Sequence, residues 1–187
     1  MTNKEKLRKK YLKLRKKKYF EISEKYFKPL SLLLNKKFKN KPIFVSVFYP
    51  SNYEVNILKF FTGKHDKKNI TTLLPTIKNK NKMLFYKWNY LDPLKVNKYG
   101  MLEPAERKKT YIPDVSIIPL LAFDSNNDRL GYGKGYYDNF LNKYLGLNKK
   151  ILTVGVAFSF QKYDKLPTSS TDVSLDYVLT EKRMQKV

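Results

Sequence analysis

The most apolar predicted strand of the chain is followed shortly by three glycines at alternate positions. The strand is DVSIIPLLAF at residues 114–123, and the glycines are Gly131, Gly133 and Gly135. Glycine lets the backbone take positive φ and turn sharply, so this order is typical of a strand–turn–helix unit. The chain is thereby constrained to an α/β arrangement, and the turn becomes the first candidate for function.

Predicted helices and strands alternate along the rest of the chain. Helical patterns cover residues 4–26, 27–38, 56–61 and 136–145, and β-rich runs cover residues 42–50, 70–75, 82–88, 114–123, 150–158 and 176–181. Residues 90–113 are polar and contain prolines, which predicts a loop with short turns. A chain of 187 residues with this alternation is expected to form a single α/β domain over residues 1–187, with a largely parallel sheet.

The composition excludes several classes of site. The chain has no cysteine and a single histidine, His65, which excludes disulfides, a cysteine nucleophile and a Cys/His zinc site and disfavours a serine triad. The net charge of +23 is compatible with nucleic acid binding, but the lysines are spread along the chain and do not alternate with stacking aromatics. No apolar run has membrane-spanning length and no signal peptide is recognisable, so we expect a cytoplasmic protein without membrane contact.

The residues around the three glycines favour a phosphate-binding loop. A turn between a strand and a helix offers free N–H groups and the positive end of the helix dipole to an anion, and Arg129 and Lys134 add cations. The spacing matches neither the dinucleotide fingerprint nor the Walker loop, and the alternative is a tight turn in which glycine serves only geometry. Asp138 is either a favourable charge at the helix start or a ligand for Mg²⁺. Tyr136 and Tyr137 are expected to divide between packing and a flat face for a ligand ring.

The glycine loop and its surroundings resemble a known family, the 5-formyltetrahydrofolate cyclo-ligases, also called methenyltetrahydrofolate synthetases. PLLAFDSNNDRLGYGKGYYDNFL (119–141) is similar to the family's Arg-Leu-Gly-x-Gly-x-Gly-Tyr-Tyr-Asp signature with its preceding strand. Weaker similarities follow the family's order at GMLEP (100–104), YEVNIL (53–58), VGVAFSFQ (154–161) and TDVSLDYVLTE (171–181). The resemblance implies a three-layer α/β/α fold, similar to the sugar-phosphate isomerase and CoA-transferase group. It also implies ATP- and Mg²⁺-dependent cyclisation of 5-formyltetrahydrofolate, with a monomer or weak dimer expected.

The resemblance also implies roles for particular residues. Implied contacts to ATP are Lys4, Arg8, Arg129, Leu130, Gly131, Tyr132, Gly133, Lys134, Gly135, Tyr136 and Tyr137. Implied contacts to the folate are Glu54, Tyr132, Gly133, Lys134, Gly135 and Tyr136, and the implied magnesium ligands are Asp138 and Asp172. Arg129, Lys134 and Tyr136 are the implied catalytic residues. In a helix this basic, Lys6 with Lys10 is an alternative to Lys4 with Arg8, and Asp176 is a further, structural candidate.

The chain departs from the family pattern at four positions. Ile57 replaces a threonine, Lys59 replaces a glutamate of some members, and Thr171 replaces a frequent histidine. Asn127 stands where glycine is usual, and asparagine tolerates the left-handed region. Ile57 and Lys59 leave the details of substrate contact open.

Trp88 and Met83 are candidates for the folate pocket, although a tryptophan beside a strand is more often part of the core, and His65 is expected in an exposed loop. Two other functions stay open: a basic RNA-binding protein and an inactive family member that binds folate or nucleotide. The lysines suggest a preference for a polyglutamylated folate.

Overall fold

The computed structural model describes residues 2–39, 41–62, 69–79, 82–106 and 108–186, so His65 lies outside the described residues. The helices are α1 (Asn3–Lys18), α2 (Lys28–Phe38), α3 (Leu58–Thr62) and α4 (Tyr136–Leu145). The strands are β1 (Ile43–Ser46), β2 (Ile70–Asn79), β3 (Lys82–Lys87), β4 (Leu94–Val96), β5 (Leu102–Pro104), β6 (Thr110–Tyr111), β7 (Val115–Pro119), β8 (Ala122–Phe123), β9 (Arg129–Leu130), β10 (Leu152–Val156), β11 (Tyr177–Leu179) and β12 (Met184–Lys186).

The central sheet has eight strands in the order β12-β11-β10-β7-β1-β2-β3-β6. Strands β11, β10, β7, β1 and β2 run parallel, whereas β12, β3 and β6 pair antiparallel at the two edges. The prediction of a mostly parallel sheet is therefore confirmed. In such a sheet the carboxyl ends of the parallel strands share one edge, which is where ligands usually bind.

Alternate residues of the central strands bury against helices on the two faces of the sheet. Val45, Val115 and Val154 pack with α2 and α3 in one apolar cluster. Ile118 and Val178 face the other way, into a second cluster with the buried side of α4. This arrangement confirms the predicted three-layer α/β/α architecture. No helix in the described part of the chain is both long enough and apolar enough to cross a membrane.

Helix α1 starts where the sequence predicts but ends earlier. Thr2 and Glu5 form a reciprocal capping box, with Thr2 N–H donating to Glu5 Oε2 at 2.8 Å and Glu5 N–H to Thr2 Oγ1 at 3.3 Å. The predicted helix over 4–26 is wrong beyond Lys18, because Tyr19 turns the chain into an extended segment. Tyr19 and Phe20 leave the helix to pack against the ring of Phe158.

Two further elements correct the sequence prediction. Residues 90–113 contain the small β4–β5 hairpin, in which Asn97 Oδ1 accepts the N–H groups of Tyr99 at 2.9 Å and Met101 at 3.1 Å. The strand predicted over 114–123 is interrupted after Pro119, and β8 pairs instead with β9. The interruption has a polar cause, since side-chain donors from elsewhere in the fold take the carbonyls of Leu120 and Leu121.

Candidate active site

Helix α1 lies across the carboxyl edge of the sheet and brings Lys4 and Arg8 to the loops there. Lys4 Nζ contacts Asp172 Oδ2 at 2.6 Å, and Arg8 Nε donates to the carbonyl of Gly131 at 3.0 Å. Lys6 points to solvent and Lys10 lies over aromatic rings. Of the two pairs that the sequence left open, the structure therefore places Lys4 and Arg8 beside the glycine loop. Their binding of nucleotide stays a prediction.

The glycine loop uses positive φ at two of its three glycines. Gly133 has φ +92° and Gly135 has φ +65°, whereas no described atom lies within 4 Å of where a Cβ on Gly131 would point. Gly135 is the residue before the first turn of α4 and makes no side-chain cap, so the N–H groups at the helix start face the loop uncapped. Uncapped N–H groups and the helix dipole make this turn suited to an anion.

Gly133 gives a test of the loop geometry. A Cβ at Gly133 would lie 3.0 Å from Arg8 Cζ, and a side chain at φ +92° is strained. We expect Gly133→Ala to lower the free energy of unfolding by about 1–3 kcal/mol, measured by urea denaturation. Gly131→Ala is the matched control for stability, because a Cβ at Gly131 has no described atom within 4 Å and the backbone there does not have positive φ. Equal losses in the two variants would contradict the loop conformation.

Arg129 is an internal anchor that joins the start of α4 to the segment containing Asp172. Its side chain is 5% exposed, and Nη2 contacts Asp138 Oδ1 at 2.6 Å while Nη1 donates to the carbonyl of Val173. Asp138 Oδ1 also accepts the N–H of Val173 at 3.1 Å. Burial lowers the pKa of Arg129, and the nearby Asp138 carboxylate opposes that effect.

Asp138 and Asp172 are brought to the same place although 34 positions separate them in the sequence. Asp138 binds the N–H of Val173, the residue directly after Asp172. Burial acts to raise the pKa of Asp172, but hydrogen bonds from Lys4 and Ser169 outweigh it and hold that pKa below its usual value. Both aspartates are thus adjacent, partly exposed carboxylates.

The pair of aspartates fits Mg²⁺ better than a metal that needs a full protein cage. In the part of the chain that the structure describes, hydrogen bonds to these aspartates use only Oδ1 of Asp138 and Oδ2 of Asp172. The second carboxylate oxygen of each aspartate is therefore available to a metal ion. No cluster of three or more His, Cys, Asp or Glu residues suited to a metal occurs among the same residues. Mg²⁺ typically takes one or two carboxylates and completes its shell with water and phosphate.

Glu54 lies under the glycine loop in a buried polar network. The Tyr132 hydroxyl donates to Glu54 Oε1, and Ser51 N–H donates to Oε2 at 2.8 Å. Burial raises the pKa of Glu54, against the opposing effects of Arg15, Tyr132 and Ser51. The structure therefore brings Glu54 and Tyr132 together, and their contact with folate stays a prediction.

Arg15 is the part of this network that the sequence analysis missed. Its side chain is 1% exposed, and the guanidinium donates to the carbonyl of Asn52 at 2.8 Å and to the Tyr132 hydroxyl at 2.5 Å. The buried stripe of α1 is Leu7, Tyr11 and Arg15, at i, i+4 and i+8. The i, i+4, i+8 spacing could have indicated that Arg15 is buried, but arginine is mostly found exposed, so an arginine at such a position is easily interpreted as a surface residue.

The remaining residues of the signature differ in their exposure. Lys134 is exposed beside the loop, and Leu130 is buried. Tyr136 and Tyr137 both pack against the α4 cluster, and the Tyr136 hydroxyl donates to that of Tyr99 at 3.1 Å. Burial raises the pKa of Tyr137, with the Glu54 charge adding to the effect. The Tyr137 hydroxyl is thus buried, whereas the Tyr136 hydroxyl lies at the surface, and a flat face for a ligand ring stays a prediction.

The positions where the chain departs from the family pattern have structural roles. Ile57 is fully buried in the core, and Lys59 contacts Glu21 and the carbonyl of Ile22. Asn127 takes φ +57°, as the sequence predicts for its turn. Thr171 offers its carbonyl to Asn142 at 2.8 Å.

Three other candidates also belong to the framework. Trp88 and Met83 are buried in apolar clusters, which confirms the core interpretation. Asp176 accepts hydrogen bonds from the backbone N–H and the hydroxyl of Thr153, at 2.8 and 3.0 Å. It therefore ties β10 to the segment before β11, as its structural assignment predicted.

The chain is similar to known proteins in sequence and in fold. A profile of the 5-formyltetrahydrofolate cyclo-ligase family matches residues 1–181. A protein of that name from Haemophilus influenzae is 36% identical over 104 residues, which cover 54% of each chain. One from Mycoplasma pneumoniae is 32% identical over 139 residues, covering 67% of this chain and 80% of the relative. The Aquifex aeolicus 5,10-methenyltetrahydrofolate synthetase structure superposes with a TM-score of 0.71 and 30% identity, over 99% of this chain and 93% of that one. The chain thus spans about half the length of the Haemophilus relative in sequence alignment.

Proposed function

Because the chain belongs to the 5-formyltetrahydrofolate cyclo-ligase family, a family of ligases, we propose that it converts 5-formyltetrahydrofolate and ATP into 5,10-methenyltetrahydrofolate, ADP and phosphate. The observation that carries the proposal is the position of the glycine loop between two sets of groups. Arg8, Lys4 and the start of α4 lie on its phosphate-binding side. Glu54 lies on its other side, against the Tyr132 hydroxyl.

The proposed chemistry needs positioning and charge more than a proton-transferring base. The formyl oxygen attacks the γ-phosphorus of ATP and ADP leaves, which turns that oxygen into part of a phosphate leaving group. N10 of the folate then attacks the formyl carbon, and phosphate departs with the former formyl oxygen and the N10 proton. Phosphoryl transfer depends chiefly on alignment and on neutralising charge, which suits a site with glycines and cations.

The exposed and the buried residues of the site are proposed to have different roles. Arg8 and Lys134 offer cations to the phosphates at the open side of the loop, and Tyr136 borders the same side. The buried side chain of Arg129 is proposed to hold the Asp138 carboxylate in position. Asp138 and Asp172 are the proposed ligands of Mg²⁺, which would neutralise phosphate charge.

Glu54 is proposed to accept hydrogen bonds from the amino groups of the folate ring, since a carboxylate is an acceptor when ionised. It lies in a cleft of about 360 Å³ that Tyr49 and Tyr53 also border. These aromatic neighbours suit a flat heterocycle.

The fate of the formyl oxygen tests the mechanism. With substrate labelled by ¹⁸O in the formyl group, the label is expected in the released phosphate, as read by mass spectrometry. ADP and methenyl product are expected in equal amounts. Label that stays in the folate or passes to water would contradict phosphorylation of the formyl oxygen.

We extend the proposal to the substrate tail, because the net charge of +23 favours a polyanion. A cleft of about 380 Å³ is lined by three lysines, Lys87, Lys108 and Lys109, and by two acidic residues, Asp92 and Glu106, of which Glu106 pairs with Lys108 at 3.2 Å. Trp88 also lines this cleft, and its ring contacts Tyr49 of the Glu54 cleft. We expect a lower KM for triglutamylated than for monoglutamylated substrate, with the difference shrinking as salt rises. If KM and its salt dependence are the same for both substrates, the tail proposal is wrong and the ring proposal is unaffected.

Assembly and location complete the proposal. We propose a single domain that acts as a monomer or weak dimer in the cytoplasm, where ATP is supplied. Sedimentation at several protein concentrations measures the assembly, and a stable higher oligomer would contradict it.

A further inference from the structure

Arg15 is the most deeply buried cation of the site, and no step of the proposed mechanism uses it. It comes from the middle of α1, and its guanidinium reaches three separate parts of the chain. Nε donates to Asn52 after β1, Nη1 to Leu120 after β7 at 3.3 Å, and Nη2 to the Tyr132 hydroxyl. A lysine could not make these contacts together, because only a guanidinium has donors fixed in a planar fork.

The Tyr132 hydroxyl connects Arg15 with Glu54. It accepts from Arg15 Nη2 at 2.5 Å and donates to Glu54 Oε1, while Arg15 Nη1 lies 4.0 Å from the same carboxylate oxygen. The guanidinium also lies over the Tyr132 ring, 5.7 Å from its centre. Tyr132 belongs to the glycine loop, so one hydroxyl ties the proposed phosphate-binding loop to the proposed folate-binding carboxylate.

We propose that Arg15 is a positioning residue that holds Glu54 and the glycine loop in one arrangement through the Tyr132 hydroxyl. The expected changes in KM rest on the proposed function, whereas the expected change in the mobility of the loop does not. Occupation of the loop by ATP and occupation of the Glu54 cleft by folate are coupled through this hydrogen-bond relay.

The electrostatic surroundings of Glu54 give the proposal a pH-dependent consequence. The groups facing Glu54 are Arg15 from α1, Tyr132 from the loop, Tyr137 from α4 and Ser51 beside it. Burial raises the pKa of Glu54 and Arg15 opposes this most strongly. Removing the Arg15 charge therefore raises that pKa further, so Glu54 stays protonated to higher pH and loses its acceptor form.

Kinetics of three single variants and one double variant test the relay. Arg15→Met is expected to raise the KM for 5-formyltetrahydrofolate about tenfold or more, and the fall of KM with rising pH is expected to move to higher pH than in the wild type. Arg15→Lys keeps the charge and is expected to recover part of the loss. Tyr132→Phe removes only the hydroxyl and is expected to raise the KM for both substrates, and the double variant Arg15→Met with Tyr132→Phe is expected to be less impaired than the product of the single effects. Lys16→Met, at an exposed neighbouring position, is the control.

A measurement without substrate separates this inference from the proposed function. Amide hydrogen exchange of residues 129–135 is expected to accelerate in Arg15→Met and Tyr132→Phe, and to stay unchanged in Lys16→Met. If Arg15→Met does not fold, Arg15→Lys and Tyr132→Phe carry the test. If the wild-type protein has no cyclo-ligase activity, the proposed function is wrong, but the hydrogen-exchange measurement still tests the role of Arg15. Unchanged loop exchange, or an Arg15→Met variant with wild-type folate KM at every pH, would overturn the role of Arg15.

Discussion

Replacing Asp172 by asparagine is expected to lower kcat by about 100-fold or more while leaving the fold almost as stable as before. Asp172 is a proposed magnesium ligand, and a metal supplies several kcal/mol of charge stabilisation in phosphoryl transfer. Asp172 pairs with Lys4 and also accepts the N–H of Ser169, which an asparagine oxygen can accept as well. Both side chains of the ion pair are more than a quarter exposed, so its loss costs about 0–1 kcal/mol. The measurement is kcat as a function of Mg²⁺ concentration, with thermal unfolding alongside.

A matched control is Asp164→Asn, which removes an exposed carboxylate elsewhere in the same segment of the chain. That variant is expected to keep wild-type kcat. The metal assignment is wrong if Asp172→Asn also shows wild-type kcat at limiting Mg²⁺.

Replacing Asp138 by asparagine is expected to lower kcat as strongly and, in addition, to destabilise the protein. Asp138 is the carboxylate partner of Arg129, whose side chain is 5% exposed. Breaking a fully buried pair by removing one partner costs about 3–5 kcal/mol. Because Asp138 itself is 24% exposed, we expect about 2 kcal/mol, or a decrease in Tm of about 4–8 °C.

The two asparagine variants are therefore expected to agree in activity and differ in stability. Calorimetry of both proteins at the same pH gives the comparison. A Tm for Asp138→Asn within 1 °C or so of that for Asp172→Asn would contradict the anchoring role of Arg129. It would leave the metal assignment to be decided by kcat.

Local sequence signals predicted the framework of the fold well. The run at residues 114–123, the glycines after it and the start of α4 at Tyr136 follow from apolar content and from turn chemistry. The β4–β5 hairpin and β12 were missed because their strands have three residues each, too few for an alternating pattern. The break after Pro119 depends on Arg15 and Gln161, which come from distant parts of the chain.

Most residues of the candidate site could be proposed from the sequence, whereas their contacts could not. Lys4 and Arg8 could not be separated from Lys6 and Lys10 until the buried face of α1 was known. The pairing of Asp138 with Arg129 depends on a bend in the loop that no local pattern specifies. Arg15 escaped notice because its burial requires three acceptors supplied by other segments.

One direct measurement of the central claim is the near-ultraviolet absorbance of 5,10-methenyltetrahydrofolate after mixing the protein with 5-formyltetrahydrofolate and Mg²⁺. This absorbance is expected to grow when ATP is present and not to grow without it. A flat trace from folded protein with ATP would contradict the proposed cyclo-ligase activity. Retention of the protein on RNA with a steep salt dependence would then favour a nucleic-acid-binding function, and folate binding without turnover would indicate an inactive member of the family.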